Sequence, residues 1–146
     1  MQLLTKNSDY AVRALIILSR QPDSFMTARK ISEEARIPYE YLRKILQKMM
    51  KAGLLESHEG GRGGFRLARS ADTIAVSDVM EIFQGQIELS QCMFRQKLCH
   101  NRPTCALRKN IMRIQDMVQH EFDNITIATL LGEVGGSYET QDHKNR

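Results

Sequence analysis

The amino-acid sequence predicts a mainly α-helical fold: a winged helix-turn-helix with a two-stranded wing, followed by a long C-terminal dimerisation helix. Three observations predict this fold class. Two helical patterns of apolar residues flank a tight turn at Ile37-Pro38, a glycine-rich segment then separates two strand patterns, and a longer amphipathic pattern lies towards the C-terminus.

The first helix is predicted to begin after the polar residues Asn7, Ser8 and Asp9, because short polar side chains cap helix N-termini. Apolar residues at helical spacing follow, and the segment Gln21-Pro22-Asp23-Ser24 ends the helix.

The second helix is predicted from Thr27 to Ala35, with the turn at Ile37-Pro38 after it. Proline is tolerated in the first turn of a helix, so a third helix can start there and end before Gly53. Its apolar residues recur at i, i+3, i+4 and i+7, and they are Leu42, Ile45, Leu46 and Met49. Two short helices joined by a tight turn indicate a helix-turn-helix.

The wing is predicted from strand patterns at Leu54–His58 and Phe65–Ala68 with the glycine-rich segment Glu59–Gly64 between them. Glycine takes positive φ values at little cost, so the hairpin tip can lie close to another surface. A nucleotide-binding loop is disfavoured, because this segment joins two strands instead of leading into a helix.

The C-terminal half is predicted to contain a helix capped by Ser77 or Asp78 that runs through Phe83 and stops at Gly85, with a short extended piece at Ile87–Leu89. A loop from Cys92 to Cys105 precedes a helix from Ala106 to Phe122. A last helix spans Thr126 to Val134, and the polar tail Gly135–Arg146 is predicted to be disordered.

The helix from Ala106 to Phe122 carries an apolar stripe at spacings of 4, 3, 4 and 4: Leu107, Ile111, Ile114, Val118 and Phe122. Such a near-heptad seam favours pairing with the same helix of a second copy, and packing on its own domain is the alternative. Three parts are therefore predicted: a winged-helix DNA-binding region at 1–75, a cysteine loop and dimerisation helix at 76–134 packed on the same domain, and the tail at 135–146.

Charge is distributed unevenly along the chain. Residues 1–75 carry 13 lysines and arginines against 8 acidic residues, whereas residues 76–146 carry 8 against 9. The basic N-terminal half favours a polyanionic partner, with a solvated surface as the alternative. The chain shows neither a secretory leader pattern nor an apolar run long enough to span a bilayer, so a cytoplasmic protein with no membrane partner is expected.

Three cysteines, Cys92, Cys99 and Cys105, lie close together in the predicted loop. Their odd number and the expected compartment argue against a disulfide framework and favour a metal or redox role. Soft thiolates suit iron-sulfur clusters, zinc and copper(I), and the spacing lacks the Cys-x2-Cys pairs typical of structural zinc sites. Zinc remains the second possibility, and ordinary buried thiols are the third.

Several motifs together resemble one family. The opening Leu4–Ala11, the block Ile37–Leu46, the wing, the three-cysteine loop and the closing Asn124–Thr126 resemble the Rrf-type bacterial winged-helix transcription regulators, the IscR, NsrR and CymR group, from Met1 to about Val134. The stretch from Cys99 to Cys105 looks most like the nitric-oxide-responsive NsrR branch. The resemblance implies a homodimer on double-stranded promoter DNA that represses or activates promoters, with repression the expected mode. It also implies an iron-sulfur cluster near the dimer interface that senses nitric oxide, oxygen, redox state or iron supply.

The resemblance also bears on a fourth cluster ligand. IscR-type members place a histidine three residues after the last cysteine, but this chain has Arg108 there, which cannot lose a proton to become a ligand. NsrR-like members use an acidic residue near the start of the first helix, reaching from the other subunit, and Asp9 matches it. A helix cap is the alternative role for Asp9. Three thiolates and one carboxylate favour [4Fe-4S] over [2Fe-2S].

The third helix is expected to enter the major groove of DNA with its N-terminal end, while the wing tip reaches a minor groove or phosphate. Arg43 suits guanine edges, and lysines suit phosphates. The candidate DNA-binding residues are Tyr39, Glu40, Tyr41, Arg43, Lys44, Lys48 and Arg62.

Two other function classes stay open at this point: a thiol-redox or zinc-stapled DNA-binding regulator without a cluster, and an iron-sulfur carrier protein. A carrier has no use for a basic helix-turn-helix and a wing. An enzyme is not expected, because the sequence offers no nucleophile triad or paired carboxylates at convincing spacing.

Overall fold

The computed structural model of the protein describes residues 2–90 and 99–136. Within these ranges the mainly helical fold with a two-stranded antiparallel sheet confirms the predicted winged helix-turn-helix. In chain order the elements are α1 (Lys6–Ser19), α2 (Ala28–Ala35), α3 (Tyr39–Lys51), β1 (Leu55–His58), β2 (Gly64–Leu67), a 3-10 turn (Ala71–Thr73), α4 (Val76–Gln84), α5 (Ala106–Asn124) and α6 (Ile127–Gly136).

Helix α1 begins earlier than the sequence predicts. Thr5 is its N-cap, and the Thr5 hydroxyl accepts the backbone N–H of Ser8 at 3.4 Å. The prediction that Asn7, Ser8 and Asp9 cap the helix is therefore wrong, because all three lie inside the first turn. Ser8 is fully buried and its hydroxyl bonds to Gln84 of α4, a tertiary contact that the local pattern does not reveal.

The helix-turn-helix follows the prediction closely. Thr27 caps α2 by accepting the backbone N–H of Lys30 at 3.2 Å, and Arg36 ends α2 in the left-handed conformation with φ 54°. Pro38 stands just before α3 and not within its first turn. The predicted apolar face of α3 is buried against the core, which turns the opposite face to solvent.

The wing is tied to the start of α2. Strand β1 pairs with β2 in antiparallel register from Leu55 opposite Leu67 to His58 opposite Gly64. Met26 adds a bridge, exchanging backbone hydrogen bonds of 2.9 and 2.8 Å with Phe65. Gly64 has φ 144°, and a Cβ there would overlap the carbonyl of Met26, so this crossing requires glycine.

The sequence predicts Ser77 or Asp78 as the N-cap of α4, but both lie inside its first turn, because the helix starts at Val76. Ala75 is the N-cap, and Asp78 inside the first turn accepts its backbone N–H at 3.0 Å. Gly85, with φ 78°, ends the helix as predicted. No strand forms at residues 87–89, where the sequence predicts a short extended piece, and the Leu89 N–H donates to Gln115 of α5 at 3.1 Å.

Two apolar clusters hold the described residues together. The larger one joins α1, α2, α3 and the wing. The smaller one, centred on Val76, Met80 and Ile87, takes Val118 and Phe122 from α5. Helix α6 extends to Gly136, two residues into the segment predicted as a disordered tail, and residues 137–146 lie outside the described ranges. None of the described helices combines the length and apolar character that a membrane crossing needs.

Candidate DNA-binding face and cysteine site

The outward face of α3 is polar and mostly basic. Because Leu42, Ile45, Leu46 and Met49 point into the core, the residues on the opposite side of the helix are exposed. These exposed residues are Glu40, Arg43, Lys44, Gln47 and Lys51.

Two guanidinium groups flank the ring of Tyr39 at the start of α3. The Arg29 guanidinium of α2 lies 4.9 Å from the ring centroid and that of Arg43 lies 5.8 Å from it. Arg43 also pairs with Glu40 at 3.7 Å, an exposed ion pair of little energetic weight. Tyr39 therefore positions two guanidinium groups at the N-terminal end of α3. Because its ion pair with Glu40 is weak, Arg43 can bind another partner instead.

Tyr41 and Lys48 lie on the side of α3 that faces α1 and α4. The Tyr41 hydroxyl donates to Oδ1 of Asn7, and its ring packs edge-on against Tyr10 with 5.5 Å between centroids. The Lys48 ammonium lies 5.1 Å from the centroid of Phe83 in α4. Tyr41, with 37% of its surface exposed, thus connects α3 to α1.

Arg62 is exposed in the turn between the two wing strands. The backbone N–H of Gly63 donates to the carbonyl of Gly60 at 3.0 Å, which closes the tip. Lower in the wing, Arg66 bridges Glu56 across the strands and stacks 4.5 Å from the Phe25 centroid. Arg62 is therefore exposed at the tip of a hairpin that the contacts of Arg66 stabilise.

The cysteine segment is a loop where it is described. Cys92 lies outside the described residues, whereas Cys99 and Cys105 are half-buried free thiols. Cys105 is the N-cap of α5, and its Sγ accepts the backbone N–H of Arg108 at 3.4 Å. A short turn, with the Arg102 N–H donating to the Cys99 carbonyl at 3.0 Å, joins the two cysteines.

A cavity of about 380 Å³ lies beside Cys105, between α5 and the residues that follow α4. Arg102 and Arg108 line it together with Cys105 and Glu88, so two guanidinium groups and one carboxylate share the cavity with the Cys105 thiol. No three metal-ligating side chains converge among the residues described, which hold two of the three predicted thiols. The donor chemistry and the partial burial fit a soft metal or cluster, and the third thiol is that of Cys92.

Asp9 lies in the first turn of α1 and does not cap it. Its carboxylate pairs with the Arg13 guanidinium at 2.9 Å and is 38% exposed. A carboxylate held only at the surface is available to a second protein chain.

Helix α5 has an uncovered apolar stripe. None of its 19 residues is buried within the protomer. Val118 and Phe122 from the predicted seam pack on the smaller cluster, whereas Leu107 and Ile114 stay 69% and 45% exposed. Met117, 58% exposed, shares the outer face with Leu107 and Ile114. The predicted seam thus has two parts: Val118 and Phe122 pack inwards, and Leu107 and Ile114 stay exposed. Met117 lies with the exposed residues, and we call these three the outer stripe.

The sequence analysis did not single out several residues of the candidate DNA-binding face. Gln47 and Lys51 continue the exposed series of Lys44 at spacings of three and four, a signal that the helical period alone contains. Arg29 reaches Tyr39 only through the packing of α2 on α3. No local pattern indicates that contact.

Comparison with known proteins gives a consistent result. The family model "Rrf2: Iron-dependent Transcriptional regulator" matches residues 4–133. The structure is similar to IscR of T. potens, with 21% identity, a TM-score of 0.74, and 94% of this chain and 92% of that one covered.

Two CymR structures are similar as well. CymR, the global cysteine regulator of B. subtilis, shares 21% identity at a TM-score of 0.75, over 90% of this chain and 98% of that one. CymR of Staphylococcus aureus shares 22% identity at a TM-score of 0.68, over 87% and 96%. The match over nearly the whole chain shows that this protein belongs to the Rrf2 family of iron-dependent transcriptional regulators, which bind DNA and are not enzymes.

Proposed function

We propose that the protein is a cytoplasmic, homodimeric transcriptional repressor whose operator affinity depends on an iron-sulfur cluster held by Cys92, Cys99 and Cys105. One observation carries the proposal: Cys105 caps α5 with its thiol, and the same helix exposes an apolar stripe. The candidate cluster site and the candidate dimer contact are therefore parts of one helix. In this account residues 1–75 bind DNA, and residues 76–134 sense and dimerise.

The DNA-binding part acts through the outward face of α3. Arg43, exposed and only weakly paired, contacts guanine edges in the major groove, with Tyr39 and Glu40 beside it and Tyr41 bracing α3 against α1. Lys44 and Lys48 neutralise phosphates, and Arg62 at the wing tip enters the minor groove.

The outer stripe of α5 is covered by the same stripe of a second copy. Leu107, Ile114 and Met117 recur at near-heptad spacing, and apolar side chains this exposed are stabilised by burial against a partner helix. A twofold axis through this contact places the two α3 helices for half-sites about 34 Å apart, one turn of DNA.

The cluster site suits soft iron chemistry. When bound, the cluster supplies a thiolate-held iron centre that responds to nitric oxide, oxygen or iron supply. Cys92, Cys99 and Cys105 hold it, and Asp9 of the partner subunit supplies the fourth ligand, which favours [4Fe-4S] over [2Fe-2S]. The exposed Asp9–Arg13 pair opens at little cost, and Arg102 and Arg108 place positive charge beside the thiolates. The likeness of Cys99–Cys105 to the NsrR branch supports nitric oxide as the signal.

Asp9 connects the cluster to DNA reading through α1. It shares the N-terminal part of α1 with Asn7 and Tyr10, which both contact Tyr41 of α3. When Asp9 binds the cluster of the other subunit, it fixes α1 in one position. Because α1 contacts α3, this also fixes the distance between the α3 helices of the two subunits. A shift of a few Å from a spacing of about 34 Å lowers affinity for a two-half-site operator.

The experiment is anaerobic purification followed by a visible spectrum and assays of iron and acid-labile sulfide per chain. We expect a brown protein whose iron and sulfide are both lost in Cys99→Ser and kept in His120→Ala, a control on the far part of α5. A colourless protein with one zinc per chain would overturn the proposal.

A second candidate is a thiol-redox or zinc-stapled DNA-binding regulator without a cluster. The free thiols of Cys99 and Cys105 and the likeness to solved structures of the cysteine regulator CymR favour it. In that case operator affinity would respond to thiol oxidants and not to iron chelation. An iron-sulfur carrier, the third class, would hold a cluster yet fail to retard any promoter DNA.

A further inference from the structure

Gln84, the last residue of α4, joins α4 to the N-terminal turn of α1 through three hydrogen bonds. Its Oε1 accepts the backbone N–H of Thr5 at 3.0 Å and the hydroxyl of Ser8 at 2.7 Å. Its Nε2 donates to the carbonyl oxygen of Leu3 at 2.8 Å. One half-buried side chain thus holds the segment that leads into α1 and the first turn of that helix.

The joint is shielded from water on the α1 side. Ser8 is completely buried, and its hydroxyl also lies 3.1 Å from the hydroxyl of Thr5. Ser8 is the buried centre of this half-buried network, so breaking its bond to Gln84 costs a buried hydroxyl one of its partners. Movement of the end of α4 is therefore transmitted to the start of α1.

The α1 side of the joint leads to the recognition helix. Asn7, next to Ser8, accepts the hydroxyl of Tyr41, and Tyr10 packs against the Tyr41 ring. Phe83, next to Gln84, lies under the ammonium of Lys48, so the end of α4 touches α3 directly as well. Residues 83 and 84 therefore contact both helices that set the orientation of the DNA-reading face.

The other side of the joint leads to the cysteine site. Gly85, with φ 78°, follows Gln84, and the next residues form one wall of the cavity that Cys105 lines. That wall is made by Gln86, Ile87, Glu88 and Ser90. Leu89 within it donates its N–H to Gln115 of α5 at 3.1 Å. The wall thus runs directly from the cysteine site to Gln84.

We infer that Gln84 is a positioning residue that transmits the state of the cysteine site to the recognition helix within one protomer, an inference that rests on the proposed function. A change in occupancy of the site moves the wall at 86–90 and the end of α4. The three hydrogen bonds make the first turn of α1 follow, and the contacts of Tyr41 make α3 follow. This route lies inside one subunit, whereas the contribution of Asp9 passes between subunits.

The test measures the dissociation constant for operator DNA in the cluster-loaded and cluster-free forms of the same anaerobic preparation, with its iron content and visible spectrum. We expect the two constants of the wild-type protein to differ by about 5- to 150-fold, the usual range of allosteric coupling. In Gln84→Leu we expect the spectrum and the iron content to stay the same and the ratio to fall below about threefold. A purely structural residue would lower both affinities together and leave their ratio unchanged.

Three further variants make the test specific. Gln84→Glu keeps both acceptor contacts, to Thr5 and Ser8, but replaces the donor to Leu3 by a carboxylate oxygen that repels the Leu3 carbonyl, so its ratio should lie between those of wild type and Gln84→Leu. Gln119→Leu is the matched control, because Gln119 bonds within its own helix, to Asp123 at 2.8 Å, and its ratio should stay at the wild-type value. Gln84→Ala removes all three bonds with a smaller side chain and tests the same ratio if Gln84→Leu does not fold.

The possible outcomes separate this inference from the proposed function. A folded Gln84→Leu or Gln84→Ala protein with wild-type iron and an unchanged ratio overturns the role of Gln84 and leaves the proposed function standing. Wild-type protein without a cluster, or with equal affinity in both forms, overturns the proposed function and this inference with it.

Discussion

The winged head, residues 2–75, and helix α5 of the sensing part, which we propose for residues 76–90 and 99–136, bury their apolar side chains to very different extents. In the winged head, α1, α2, α3 and the wing share one cluster in which residues such as Leu15, Leu42 and Leu46 are fully buried. In the sensing part, α5 buries none of its 19 residues, and Leu107 is 69% exposed.

This difference shows which part of the protein is complete in a single copy. The winged head has a closed core, which Val79 of α4 and Ile127 of α6 complete, and it presents a polar face on α3. The sensing part, in our account, is completed by a second copy on α5 and by a cluster beside Cys105. Loss of the dimer contact or of the cluster is therefore expected to change how the two winged heads are arranged and not to unfold them.

The largest effect is expected from a charge in the outer stripe of α5. In Ile114→Glu, the two introduced carboxylates face each other across the twofold axis, so the dimer should dissociate. Operator affinity should then fall by about 10³-fold or more, towards nonspecific binding. Sedimentation and DNA titration measure both effects. Lys109→Glu, which places the same side chain on the polar face, should remain dimeric, and a dimeric Ile114→Glu protein would contradict the account.

The next largest effect is expected from Cys105→Ser, which separates sensing from folding. Serine caps a helix at least as well as cysteine, so the thermal midpoint of the cluster-free protein should change little. The thiolate is lost, however, and the iron content and visible absorption of the anaerobic protein should disappear. A variant that keeps its full complement of iron would remove Cys105 from the ligand set.

A smaller and more local effect is expected in the winged head. Arg43→Ala should cost about 1 to 3 kcal/mol of operator binding and relax the preference at one base position. Lys44→Ala on the same face is the matched variant: it should weaken all sequences alike and reduce the salt dependence by about one counterion. Equal loss on all sequences in Arg43→Ala would show that Arg43 contacts phosphate and not a base.

The smallest effect is expected where α5 meets α4. Hydrogen bonds from Ser77 and Gln119 to the carboxylate, aided by His120, hold the pKa of Asp123 below its usual value. A lowered folded-state pKa stabilises the fold above the unfolded-state pKa, and this contribution is lost as pH falls through the folded value. Asp123→Asn should therefore melt slightly below wild type at about pH 7, and the difference should shrink as pH falls below the unfolded-state pKa of about 3.9. A difference in melting temperature that persists in acid would indicate a loss of packing instead.

Much of the fold could be predicted because its signals are local. The period of Leu42, Ile45, Leu46 and Met49 and the glycines of the wing depend only on neighbours in the chain, and α3 and the hairpin appear where those patterns lie. The caps of α1 and α4 could not be located in this way. Several adjacent polar residues compete at each start, and tertiary bonds such as that from Ser8 to Gln84 decide between them.

The candidate sites could be predicted by residue type and less well by arrangement. The sequence indicates the three thiols and the basic helix, yet it does not show that Tyr41 faces α1, that Arg29 stacks on Tyr39, or that the outer stripe of α5 includes Met117. Each of these depends on how one helix packs against another. The Gln84 joint belongs to the same class, since its partners are some 80 residues away in the chain.

In our account, occupancy of the cysteine site controls the affinity for operator DNA. This dependence is tested most directly by titrating nitric oxide into anaerobic, iron-loaded protein on a fluorescent operator, while absorbance and anisotropy are followed in the same cuvette. We expect the visible band and the operator complex to decline together over the same additions of nitric oxide. Full bleaching of the band with the DNA complex unchanged would contradict the account.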